Sequence, residues 1–131
     1  MSPQSSECDL VVKLIQAWER RDADAVSACF AEGGIWHNMP YAPIVGRTAI
    51  GAAIRRFLDQ VEQVRFDLHL IAKISPGIVV TERNDIFVMK DGRQIDIAVM
   101  GVFEIAGNAI LAWRDYFDGA AMNAPPAATT T

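Results

Sequence analysis

The spacing of the apolar residues changes once, near Phe66, and that change restricts the fold more than any other feature of the chain. Before it, apolar residues recur three and four positions apart. They run Leu10, Val11, Leu14, Ile15, Trp18, then Ala25, Val26, Cys29, Phe30, then Ile50, Ile54, Phe57, Leu58, Val61. Such spacing lays one apolar stripe along a helix. Ser6 is expected to cap the first helix, with Asp9 in its first turn at the positive end of the dipole, and Asp22 the second, short one. Gly33-Gly34 is expected to interrupt the pattern. A short strand over 35–39 is then stopped by Pro40 and Pro43, and a third helix follows in GRTAIGAAIRRFLDQV.

After Phe66 the period is two. Strands are expected over 66–75, 78–89, 93–105 and 109–117, with breaks at Pro76-Gly77, Asp91-Gly92 and Gly107-Asn108 of the kind that close antiparallel hairpins. Helices first and a strand meander second predict an α+β fold. The expected form is a curved, conical antiparallel sheet with three N-terminal helices over one face, enclosing an apolar pocket. The 131 residues suit one domain spanning 1–131, with 1–6 and the tail from about 123 as disordered arms.

Charge and composition exclude several classes. A net charge of -4 opposes nucleic-acid binding, which needs a basic field to neutralise phosphates. No apolar run approaches the ~20 residues that cross a bilayer. The opening MSPQSSECD has neither the basic nor the apolar part of an export signal, so a cytoplasmic location is expected. Cys8 and Cys29 then read as free thiols. With two histidines and no C-x-x-C or H-x-x-x-H spacing, no metal site is expected.

The polar residues inside apolar strands carry the chemistry. In VVTERNDIFVM (79–89), Arg83 and Asp85 share a face with Thr81 and Phe87. In the last strand Asp115 falls on the face of Leu111, Trp113 and Phe117. Over 95–102 both faces are apolar, so that strand is expected to be covered on both sides. Trp36 and Asn38 share a face, with His37 opposite, and His69 is expected in the core or an interface. Arg83, Asp85, Asp115, Asn38 and Trp36 are therefore candidates for one interior.

An Arg between two Asp side chains can donate to both. Desolvation favours the neutral cluster, with one Asp protonated, which makes an acid and a base from two identical side chains. The alternative is an exposed Arg83–Asp85 pair, with Asp115 paired to Arg47 or Arg93 at an edge. Met39, Phe87, Met100 and Phe117 are the apolar candidates for substrate contact.

AEGGIWHNMP, GR at 46–47, VVTERNDIF, MGVFEI and WRDYFD together resemble the limonene-1,2-epoxide hydrolase family, in order and spacing, over about 10–118. The resemblance implies a cone like that of nuclear transport factor 2 (SnoaL-like), a homodimer, and no metal or organic cofactor. It implies one-step hydration of a small apolar epoxide to a vicinal diol, with epoxide and water as the reactants and neither nucleic acid nor membrane as a partner. Asp115 would deprotonate water, Asp85 would protonate the epoxide oxygen, Arg83 would bridge them, and Asn38 would help hold the water.

The family pattern has Tyr where this chain has Trp36. A phenol donates and accepts; an indole N–H only donates. Trp36 either helps place the water or packs the pocket wall. Two other readings of the scaffold stand beside the hydrolase: a ketosteroid-isomerase-like or polyketide-cyclase-like enzyme, and a non-catalytic small-molecule-binding protein.

Overall fold

The computed structural model describes residues 5–123. The chain runs α1 (Ser6–Glu19), α2 (Ala23–Ala28), β1 (Phe30–Asn38), β2 (Ile44–Val45), α3 (Arg47–Leu58), β3 (Val61–Ser75), β4 (Ile78–Met89), β5 (Gln94–Ala106), β6 (Ala109–Tyr116) and a 3-10 segment, η1 (Gly119–Asn123). Of the two expected arms, 1–4 and 124–131 lie outside the described residues.

α1 forms because Val11, Leu14, Ile15 and Trp18 make one buried stripe. Its cap is Ser5, not Ser6: the Ser5 side chain accepts from the Cys8 amide at 3.1 Å, and Ser6 is already helical. Asp22 caps α2 as expected, accepting from the Ala25 amide at 3.0 Å. Two carboxylates then tie α1 to the sheet. Glu7 accepts from the Gly77 amide at 2.7 Å, and Glu19 from the Phe66 amide at 3.0 Å.

All six strands form one sheet, in the order β2-β1-β6-β5-β4-β3. β3 to β6 are the expected antiparallel meander, whose later hairpins turn on Gly92 (φ 94°) and Gly107 (φ 60°). β1 departs from the expected antiparallel sheet and pairs parallel with β6. No tight turn joins these two strands, since most of the chain lies between them, so hairpin geometry does not set their direction. Helices cover one face of the sheet: α1 lies against β3 and β4, and α3 against β1. Leu14, Ile50, Ile54, Val79, Ile95 and Phe103 meet in the core between them.

Bulges account for most of the other departures. Gly33 and Gly34 lie inside β1, which starts at Phe30, and the register with β6 shifts between Phe30 and Ile35. β3 starts at Val61. Its register shift after that residue leaves Val61 and Val64 both buried, three apart, which imitates helical spacing in the sequence. A shift between Glu104 and Ile105 changes the phase of β6, so Ile110 is buried and Leu111 is 44% exposed, against expectation.

β5 is covered on one side, not two: Ile95, Ile97 and Val99 are buried while Ala98 and Met100 face outward. His69 is exposed and bonds to Asn84 Oδ1 at 2.8 Å, so it is not a core residue. Cys8 and Cys29 are free and buried. Among the described residues no helix is long and apolar enough to cross a membrane.

Candidate active site

Alternation along β4 sends Thr81, Arg83, Asp85 and Phe87 to the covered face of the sheet, and all four are buried. The phase of β6 sends Trp113 and Asp115 to the same face. β5 lies between the two strands, and the register sets Gly101 opposite both Thr81 and Asp115. A side chain at 101 would fill the space that the polar cluster uses. A Cβ there would lie 2.5 Å from Arg83 Nη1, 2.7 Å from Asp115 Oδ1 and 2.8 Å from Thr81 Oγ1.

Arg83 is fully buried, and each of its three nitrogens donates within this cluster. Nε and Nη2 donate to the two oxygens of Asp85 at 2.7 and 3.0 Å. Nη2 also donates to Asp115 Oδ2 at 2.5 Å, and Nη1 to Thr81 Oγ1 at 2.8 Å. The guanidinium carbon lies 5.2 Å from the centre of the Phe66 ring and 5.6 Å from that of Trp113, so the cation has aromatic neighbours as well as anions. The other oxygen of Asp115 accepts from the Trp113 indole at 2.6 Å. Arg47 and Arg93, the rival partners for Asp115, bond elsewhere: Arg47 to the Phe30 carbonyl and Arg93 to Asp91.

Burial pushes the Asp85 carboxyl up to about 6, against the pull of Arg83, and the charge on Asp115 adds to the rise. Burial also raises Asp115, while Arg83 and the Trp113 N–H both favour its carboxylate. Arg83 itself is held firmly in its charged form by the two carboxylates. Burial thus raises both carboxyls, and their closeness on one guanidinium favours a pair that shares a single proton. The arrangement can therefore offer one proton and accept another at adjacent carboxyls.

Both carboxylates face a cavity of about 280 Å³. Trp18, Trp36, Phe57 and Phe87 line it as aromatic walls, Asn38 adds an amide beside Asp115, and Tyr41, Phe117 and Met122 also line it. The five residues expected in one interior are brought together, Arg83 one layer behind the wall. Trp36 stacks on Trp113 at 5.9 Å and 28°, and its indole N–H is enclosed with no partner. His37 faces elsewhere and bonds to the Tyr41 carbonyl.

Of the four apolar candidates, Phe87 and Phe117 line the cavity; Met39 and Met100 do not. They are 36% and 43% exposed. Met100 points to the outer face of the sheet, because it is one residue out of phase with Val99, which lines the cavity. Sequence reasoning left out Thr81, Trp113 and Gly101 as parts of the cluster. Alternation already put the first two on the right face; nothing local marked Gly101. Among the described residues no three His, Cys, Asp or Glu side chains gather as metal ligands would.

The chain is similar to known proteins in both sequence and fold. An epoxide hydrolase of Mycobacterium tuberculosis, EphG, is 30% identical over 108 residues, which is 82% of this chain and 70% of that protein. The structure of an M. tuberculosis LEH-like epoxide hydrolase superposes with a TM-score of 0.80 at 28% identity, covering 92% of this chain and 90% of the other. An NTF2-like protein from Burkholderia pseudomallei shares the fold, with a TM-score of 0.78, 21% identity, and 91% and 95% of the two chains covered. The sequence model of the limonene-1,2-epoxide hydrolase catalytic domain matches residues 5–124, a span that holds every residue of the buried Arg–Asp cluster, and the chain belongs to that family.

Proposed function

We propose that this chain hydrates a small apolar epoxide to a vicinal diol in one step, with no covalent enzyme intermediate and no cofactor. The observation that carries the reading is a buried arginine bonded to two carboxylates that face an otherwise apolar cavity. Asp115 takes a proton from water as the water oxygen bonds to an oxirane carbon. The C–O bond at that carbon breaks, and its oxygen takes the proton of Asp85. Asp115 ends protonated and Asp85 ionised, and one proton returned through water resets the pair. Arg83 keeps the cluster's charge near neutral in both states, since one carboxyl is ionised throughout.

Asn38, which pairs with Asp115 in the β1–β6 register, orients the water. Trp36 acts through Trp113: its ring stacks on the indole that bonds to Asp115, so its role in this reading is to position the base. The acid, the base and the charge that stabilises them all come from side chains, so the reaction needs no metal. The reading extends to a cytoplasmic homodimer. Two buried free thiols suit a reducing compartment, and the outer sheet face carries exposed Leu70, Met100 and Tyr116.

The test is hydration of cyclohexene oxide and limonene oxide in oxygen-18-labelled water. The expected product is a diol with one labelled oxygen, with turnover removed by Asp85→Asn and by Asp115→Asn. Full activity in both variants, or no hydration of any epoxide alongside turnover of an enolisable ketone, would overturn it.

A further inference from the structure

The aromatic residues of this chain are concentrated around the cavity. All three tryptophans line it, with four of the six phenylalanines. The two others, Phe30 and Phe103, pack beside Trp113 at 6.3 and 5.2 Å. Eight of the seventeen lining residues are aromatic, against 8% of the chain, so the cavity wall is not a sample of the core. The faces of Phe66 and Trp113 are already engaged by Arg83. The rings left to meet a ligand are chiefly Trp18, Trp36, Phe57, Phe87 and Phe117. Phe57 and Phe87 meet edge to face at 5.0 Å and 89°, which presents one ring's face and the other's edge side by side.

On the hydrolase reading above, we propose that the substrate is an uncharged aryl epoxide and that water attacks the oxirane carbon bearing the aryl ring. Two properties of the wall favour this class. Aromatic rings prefer edge-to-face or offset partners over saturated ones of equal size, so an aryl group extends the Phe57–Phe87 pattern. As Asp85 protonates the oxirane oxygen, the breaking C–O bond leaves positive charge on carbon. An aryl substituent spreads that charge, and the electron-rich faces of the wall stabilise it.

The remaining features set limits. About 280 Å³ lies at the low end of the ~300–1,000 Å³ of small-molecule pockets, enough for a compact ring and its epoxide but not for a long chain. Arg83 is sealed at 0% exposure, so no cation is offered to a substrate carboxylate, and the two aspartates repel one.

The experiment compares phenyloxirane with cyclohexyloxirane in oxygen-18-labelled water, using the full chain and correcting each rate for its uncatalysed hydration. A kcat/KM at least about tenfold higher for the phenyl compound is expected. The label should appear on the ring-bearing carbon, and Phe57→Leu with Phe87→Leu should bring the preference to within about threefold. Equal or better use of the cyclohexyl compound, or a label on the terminal carbon, overturns the proposal. Binding separates this from a failure of the hydrolase reading. Quenching of the three cavity tryptophans by 1-phenyl- and 1-cyclohexylethane-1,2-diol reads selectivity without turnover. If neither epoxide is hydrated, tighter binding of the phenyl diol by about tenfold keeps the aromatic selectivity and discards the reaction; equal binding discards both.

Discussion

Arg83 holds both carboxylates through one nitrogen, Nη2, so neither aspartate can change its charge without the other responding. The proposed chemistry needs Asp85 protonated and Asp115 ionised. Burial raises both carboxyls, Asp85 to about 6, so with Asp85 as the acid kcat/KM is expected to fall as pH rises through about 6, where its proton is lost. It should fall again at lower pH, where the pair takes up its second proton and no carboxylate is left as base. Trp113→Phe removes the donor that favours the Asp115 carboxylate, so it should move the acid limb to higher pH and leave the alkaline limb nearly in place. A pH–rate profile of the two proteins checks this; an alkaline limb that moves instead would assign the base to Asp85.

Gly101 is the other residue on which the cluster depends. In Gly101→Ala the new methyl would lie within 3 Å of three polar atoms, two of them on Arg83 and Asp115. A loss of about 1–3 kcal/mol in unfolding free energy and most of the turnover is expected from such overpacking. Denaturant unfolding with diol assays checks it, and an active, equally stable variant would mean that the cluster has slack. Arg83 and both aspartates were legible in the sequence because a charge breaks the alternation of a strand. Gly101 was not, because a glycine in a strand gives no sign of what fills its space.

At the scale of elements, bulges decide which side chains enter the site. The register shift in β1 separates Phe30, paired with Ile110, from Trp36 and Asn38, paired with Trp113 and Asp115. Gly34 sits within that shift, where a Cβ would meet the Ala31 carbonyl at 3.0 Å, the Ile110 carbonyl at 3.1 Å and the Phe30 ring at 3.1 Å. Two of these are backbone atoms of the paired strands and cannot turn aside. Gly34→Ala should displace β1 from β6, costing about 1–3 kcal/mol and moving Asn38 away from Asp115. Turnover should then fall more than in Gly33→Ala, where the added methyl meets nothing within 4 Å. Equal loss in the two variants would place the effect in β1's flexibility instead.

The same bulges explain where the sequence misled. Alternation predicts faces well over β4, which runs without a shift against β5. It fails at Leu111, Val61 and Gly33-Gly34, each beside a shift, because one extra residue exchanges the two faces and leaves no mark in composition.

At the scale of the whole molecule, the chain has one covered sheet face and one bare one. The register aligns Leu70, Glu82, Met100 and Tyr116 in one row across β3, β4, β5 and β6 on the outer face. Leu70, Met100 and Tyr116 are each more than 40% exposed, and the next row brings Ala72, Val80 and Val102 beside them. A second copy of this face is the simplest cover for such a surface, since a two-fold axis brings the same patch against itself. Two copies would then hold their cavities on opposite sides of the interface, each complete within its own chain.

Met100→Lys tests this cleanly. The new ammonium would lie opposite Glu82 on the neighbouring strand, a pairing the folded single chain tolerates, while two copies would bring like charges into a dry interface. Sedimentation equilibrium should give a dimer for the natural sequence and a monomer for Met100→Lys. Turnover per chain should be unchanged within about twofold, because residue 100 points away from the cavity. A natural chain that sediments as a monomer would leave the bare face without a partner of its own kind. A monomeric variant that loses activity would mean that the second copy steadies the β5 strand on which Gly101 and the polar cluster depend.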